Sequence, residues 1–187
     1  MTAATSPLAE ALREQIKLQP GERLYGIVDA AQDKELAFEA RDRFKLPIRM
    51  LFQGEAAEYM DDVAPYLIPI EPESEYLESW AQRWGKNIGI LLTSSADPLK
   101  LYRHLRGIFV VKDEEGQEYF FRYYDPRVLR TYLPTCTPTE VRAFFGPVSA
   151  LLTEGSTPDT MLRYSVGREG LSQASIEIPM SDPMSVT

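Results

Sequence analysis

The chain is poor in the residues that metal and nucleophile chemistry most often uses. It has one cysteine, Cys136, and one histidine, His104, in 187 residues. A single cysteine excludes an internal disulfide, and one His with one Cys cannot build a zinc site of the usual ligand type. No metal and no cofactor is therefore expected. A Ser-His-Asp triad would have to recruit His104 as its base, and no Gly-x-Ser-x-Gly elbow surrounds any serine. Basic charge is short as well: Lys and Arg number 20 against 28 Asp and Glu, for a net charge of −8. Nucleic acid and anionic membrane need a clustered positive surface, so neither is expected as a partner. No apolar run reaches the roughly 20 residues that span a bilayer. Residues 1–20 place Leu8, Leu12 and Ile16 among Glu10 and Glu14, without the basic opening or apolar centre of a signal peptide. These absences fit a soluble, cytoplasmic protein, and they leave open a hydrolase whose two carboxylates come from distant positions.

What is present is a substantial core. Hydrophobic residues make up 44% of the chain, enough for one domain. The expected division is an N-terminal helical segment (1–20), an α/β domain (21–153) and a short, partly flexible C-terminal extension (154–187). Leu24 to Val28 reads as a strand. Asp29 with Gln32 reads as a capping box opening a helix to Phe44. Leu46 to Phe52, Tyr66 to Ile70 and Ile88 to Leu92 read as further strands. Helices are expected over Gly54 to Val63, from Glu75 to Trp84, and from Asp97-Pro98 onward, where Pro occupies a first position that needs no N–H. A β-hairpin follows, Ile108 to Lys112 and Gln117 to Tyr124, turning at Asp113 to Gly116. Asp125-Pro126 caps a helix to about Tyr132. Thr137 and Glu140 form a second capping box, on a helix stopped by Gly146-Pro147. Val148 to Thr153, Met161 to Val166 and Ala174 to Ile178 read as strands, with a frayed polar end from Pro179. The pattern predicts an α/β fold: a mixed sheet flanked by helices, with a hairpin followed by helices in the second half.

The densest signal is Phe120 to Leu129. Four aromatics broken by Arg122 run into the helix start Asp125-Pro126-Arg127. The first part reads as a buried strand, with Trp84 and Phe121 expected in the core. Two readings of the arginines stand side by side. Arg127 in a first helical turn opposes the helix dipole at a small cost, which a pairing with Asp125 or Asp29 would offset. That makes the corner a structural ion pair. Alternatively Arg122, Tyr124, Arg127 and Arg130 face outward and bind a partner, since Tyr and Arg are residue types that carry interface energy. Elsewhere the chemistry is bland. Gly85-Lys86-Asn87-Ile88-Gly89 leads into a strand rather than from a strand into a helix, the order phosphate cradling needs. Glu114-Glu115 reads as solvated charge in a turn.

Several spaced motifs then coincide. Leu24-Tyr25-x-Ile27-x-Asp29, Ala64-Pro65-Tyr66-Leu67, Trp84-Gly85-x-x-x-Gly89-Ile90-Leu91-Leu92 and Leu101-x-x-His104-Leu105-Arg106 come first. Phe121-Arg122-x-Tyr124-Asp125-Pro126-Arg127-Val128-Leu129 and Phe144-Phe145-Gly146-Pro147 complete the series. In this order they resemble the type VI secretion effector chaperones, adaptor proteins also called Tap or Tec, over roughly Leu24 to Leu152. The resemblance implies a non-enzymatic cytoplasmic helper that binds a secreted effector, a toxin, and promotes its loading onto the VgrG spike. It marks Asp29, Trp84, Gly89, Phe121, Asp125, Pro126, Phe145 and Gly146 as fold signature. The chain stops early for that family, which bears on how it selects an effector. Two other classes remain open at this point: a small α/β hydrolase, and an immunity protein that blocks a toxin.

Overall fold

The computed structural model describes residues 6–112 and 115–179. In chain order it forms α1 (Pro7–Gln15), β1 (Arg23–Asp29), α2 (Lys34–Asp42), β2 (Arg49–Met50), α3 (Glu55–Tyr59), β3 (Pro65–Ile70), α4 (Glu75–Ala81), β4 (Gly89–Ser94) and α5 (Pro98–Gly107). The second half adds β5 (Val110–Lys112), β6 (Glu118–Phe120), α6 (Pro126–Tyr132), α7 (Pro138–Phe145), β7 (Ala150–Glu154), β8 (Thr160–Gly167) and β9 (Gly170–Glu177). One sheet has the order β2-β3-β1-β4-β7-β8-β9, and β5 with β6 forms a separate hairpin.

Period-two alternation along β1 explains why helices cover both faces of the large sheet. Leu24 and Val28 enter one core with Leu36, Ala37 and Ala40 of α2 and Tyr76, Leu77 and Trp80 of α4, closed by Leu8 and Leu12 of α1. Tyr25 and Ile27 enter the other, with Leu101 and Leu105 of α5, Leu129 of α6 and Val141, Phe144 and Phe145 of α7. Each fully buried aliphatic side chain contributes about 1.5–3 kcal/mol, so the two cores hold the sheet from both sides.

The α/β class is as the sequence implies, with helices around one sheet and a hairpin ahead of the last helices. The strand directions are more uniform than the expected mixed sheet: every neighbouring pair is antiparallel. Alternation of strand and helix along a chain does not fix direction, because a connection holding a helix and loops can return a strand either way. Residues set apart as a C-terminal extension supply β8 and β9, two of the seven strands. The second strand is shorter than its pattern, two residues at Arg49–Met50. The turn residues Asp113 and Glu114, and the chain from Met180 onward, lie outside the described residues.

Helix starts follow the cap signals with one exception. Asp97 and Asp125 accept from backbone N–H groups at the starts of α5 and α6, and the Thr137–Glu140 capping box is complete. For α2 the cap is Asp33, which accepts from Leu36 N at 2.8 Å, not Asp29. Asp29 belongs to the strand end, and its carboxylate is engaged elsewhere. Two motif glycines are required sterically. A Cβ at Gly89 would sit 1.9 Å from the Ile27 carbonyl oxygen, and one at Gly146 (φ +48°) would sit 2.4 Å from His104 Cε1. Trp84 is buried as expected, its Nε1 donating to the Pro158 carbonyl at 3.0 Å.

Candidate functional site

The corner forms where β1 ends against the chain leaving β6. Asp29, at the last position of β1, is 1% exposed. Its backbone N–H bonds Ile88, and its carboxylate accepts from Ala31 N at 3.0 Å and from Arg122 Nη2 at 2.7 Å. Burial is the strongest influence on this carboxyl and raises its pKa, although the Arg122 guanidinium pulls the other way. Asp125 caps α6 through Arg127 N at 2.9 Å and grips the Arg127 guanidinium with both oxygens, at 2.9 and 2.8 Å. Burial works to raise Asp125, but the contacts from Arg127 hold it below the ordinary carboxylate value. Arg122 also approaches Asp125, at 3.5 Å. Two buried carboxylates and two half-open arginines thus form one compensated chain, Asp29–Arg122–Asp125–Arg127.

The residues predicted to bind a partner fall in different places. Arg122 and Arg127 keep 44% and 51% of their side chains exposed while paired inward. The Arg127 pairing is with Asp125, one of the two carboxylates expected for it. Tyr124 is buried, stacked on Phe109 with 5.8 Å between ring centres and 9° between planes. Burial pushes its hydroxyl pKa up to about 12. Arg130 turns away and donates to the Glu154 carbonyl at 2.8 Å. Of the residues marked as fold signature, Pro126 and Phe145 are buried. Phe121 is only half-buried, against Tyr132 at 4.5 Å.

The aromatic run is not one buried strand. β6 ends at Phe120, and its exposed residues are the correction: Tyr119 is 52% exposed and Phe120 62%. The chain then turns inward, so that Tyr123 and Tyr124 are 1% and 3% exposed. β6 pairs only with β5, in a hairpin separate from the large sheet.

This exposure gathers with more. Nine large apolar side chains are exposed among the described residues, and seven belong to two segments, Tyr59–Val63 and Val110–Phe120. Three of them, Met60, Val63 and Phe120, line a groove of about 240 Å³ together with Phe52, Phe109 and Tyr124, and Asp29 and Arg122 also line it. On the other side of the hairpin, Val110, Val111, Phe121 and Tyr132 line a second hollow. A third lies along α6 beside Arg127 and Val128. Sequence reasoning missed Tyr59, Met60 and Val63. The available signal was three apolar residues set among Glu58, Asp61 and Asp62 in a segment too polar to be core.

One more charged residue was missed. Glu154 ends β7 and is 3% exposed, with one carboxylate oxygen accepting from Asn87 N at 2.8 Å and the other without a hydrogen-bond partner among the described residues. Burial pushes its pKa up to about 7. Classical catalytic groups are tied up. His104 Nε2 donates to the Phe144 carbonyl at 2.8 Å, and the Cys136 thiol bonds the Tyr132 carbonyl at 3.6 Å. Among the described residues no three His, Cys, Asp or Glu side chains come together in a way that could hold a metal ion. No helix among them is long and apolar enough to cross a membrane. A family model described as "Domain of unknown function (DUF4123)" matches residues 24–143. No curated protein and no solved structure matches the chain.

Proposed function

This chain belongs to the DUF4123 family, which is associated with type VI secretion effector chaperone and adaptor proteins, and from that premise we propose that it is a non-enzymatic adaptor. It binds a secreted effector in the cytoplasm and promotes the effector's loading onto the VgrG spike. The observation that carries this reading is the concentration of exposed apolar side chains around a rigid, charge-compensated corner. Water-facing aromatics beside a groove cost solubility unless a partner covers them, and Tyr, Phe, Met and Arg are types enriched at interfaces. Arg122 and Arg127 act here through their exposed halves, with Asp29 and Asp125 holding the guanidinium planes in place. The hydrolase alternative gains no support from a histidine and a cysteine already bonded to main-chain carbonyls.

Co-expression with a candidate toxin from a neighbouring gene, followed by affinity purification, tests the reading. The toxin is expected to co-purify, and deleting the adaptor is expected to stop secretion of that toxin while the sheath still fires others. A toxin that neither co-purifies nor depends on this chain for secretion would overturn the proposal.

A further inference from the structure

Resting on the adaptor reading, we infer that the groove between the Tyr59–Val63 segment and β6 takes an apolar–basic segment of the effector. One large apolar side chain enters the groove, and flanking Lys or Arg residues meet its acidic rim.

The volume fits such an anchor. An apolar cavity of about 150 Å³ is enough to hold benzene, and the groove offers about 240 Å³. Its walls can contact an inserted ring. Phe52, Phe109 and Phe120 already meet one another with centres 5.3 to 5.9 Å apart, two of the three pairs edge to face. Phe120 gives one open wall and Met60 and Val63, 41% and 39% exposed, give the other.

Charge selects the flanks. The charges lining the groove are compensated, because Arg122 pairs with Asp29 and Asp125. On the rim, Asp62 pairs with Lys34. Glu58 and Asp61 are exposed and have no cationic partner among the described residues. Among the described residues around Met60 and Val63 the excess is therefore negative, on a chain of net charge −8. An acidic segment would be repelled at the rim, whereas a basic one gains both contact and faster encounter. Arg122, with part of its guanidinium open to the groove, can donate to a main-chain carbonyl of the bound segment.

Three synthetic peptides of equal length distinguish the possibilities by fluorescence anisotropy with the full chain. One has a Phe-Leu centre flanked by lysines, one the same centre flanked by glutamates, and one lysine flanks around a Ser-Gly centre. The first is expected to bind best. Phe120→Ser is expected to weaken it about tenfold. Asp61→Lys is expected to weaken it severalfold, with the effect shrinking as salt rises. Val166→Ser, at an exposed site on β8 outside the groove, is expected to change nothing. If Phe120→Ser fails to fold, Met60→Ser makes the same test from the opposite wall.

The inference is overturned if no peptide binds, if the glutamate-flanked peptide binds as well, or if binding ignores both groove variants. It is also overturned if the wild type is a dimer that Phe120→Ser makes monomeric, since the occupant is then a second copy. The toxin itself separates this inference from the adaptor reading. A toxin held equally by wild type and Phe120→Ser keeps the adaptor and removes the groove. A toxin that does not bind at all removes the adaptor, whatever the peptides do.

Discussion

Tyr119-Phe120 and Tyr123-Tyr124 are two aromatic pairs three residues apart with opposite fates. The first pair is more than half exposed; the second is almost wholly buried. Composition does not distinguish them. Position does: β6 lies in a hairpin separate from the large sheet, whereas Tyr123 and Tyr124 enter the second core, where Tyr124 stacks on Phe109 and the Tyr123 hydroxyl donates to the Leu105 carbonyl of α5 at 2.9 Å. The same residue type thus works as core in one place and as open surface in the other. The inner pair belongs to the core, and the outer pair stays open to water.

The comparison breaks most easily at its inner half. Tyr123→Ala removes a fully buried ring and its hydrogen bond, and is expected to cost about 3–5 kcal/mol, read as a large drop in the midpoint of denaturant unfolding. A wild-type midpoint would show that the inner pair is not core.

Next comes the ion-pair chain beside it. Arg122→Ala leaves Asp29 buried without a cation and is expected to cost about 3 kcal/mol, the low end for a broken buried pair because the arginine is half open to water. Arg127→Ala is expected to cost under about 1 kcal/mol, since Asp125 retains Arg122 and its backbone bond to residue 127. Equal losses in the two variants, measured by urea unfolding, would show that the two arginines are not distinguished by the burial of their partners.

Glu154 sharpens the contrast with Asp29, being a buried carboxylate to which no side-chain cation is bonded among the described residues. Its pKa in the folded state, about 7, lies above the ordinary 4.5. Folding therefore favours the neutral acid. The resulting stability is fully present below pH 4.5 and is lost as pH rises toward 7. Glu154→Gln keeps an acceptor for Asn87 N and is expected to flatten this part of the stability profile, leaving the variant up to about 3 kcal/mol more stable than wild type at pH 8. Parallel profiles for the two proteins would refute a neutral Glu154.

The outer pair gives a small effect on folding. Phe120→Ser gives up ring contacts with Phe52 and Phe109 but starts from a side chain already 62% exposed, and is expected to cost no more than about 1 kcal/mol, so that a larger loss of binding reports on the surface. A midpoint lowered as far as in Tyr123→Ala would place Phe120 in the core instead.

Local signals made much of this legible. Asp97-Pro98, Asp125-Pro126 and Thr137-x-x-Glu140 set helix starts by chemistry contained within four residues, so no tertiary knowledge was needed. Asp29 misled for an equally physical reason. An Asx residue at a strand end matches a cap pattern as well as it matches a buried ion-pair partner, and only the arrival of Arg122, 93 positions later, decides between them. The groove was less legible still, because its walls come from three separate segments, around Phe52, Met60 and Phe120.

The sequence by itself determined the α/β class, most helix starts, the shortage of metal and nucleophile ligands, and the aromatic corner, because periodicity, capping and composition are local properties. Tertiary structure alone decided that every strand pair is antiparallel, that the C-terminal strands complete the sheet, that Glu154 is buried, and that half of one aromatic run faces water. Each of these depends on which distant segment lies alongside, and that is settled by packing the two faces of the sheet at once.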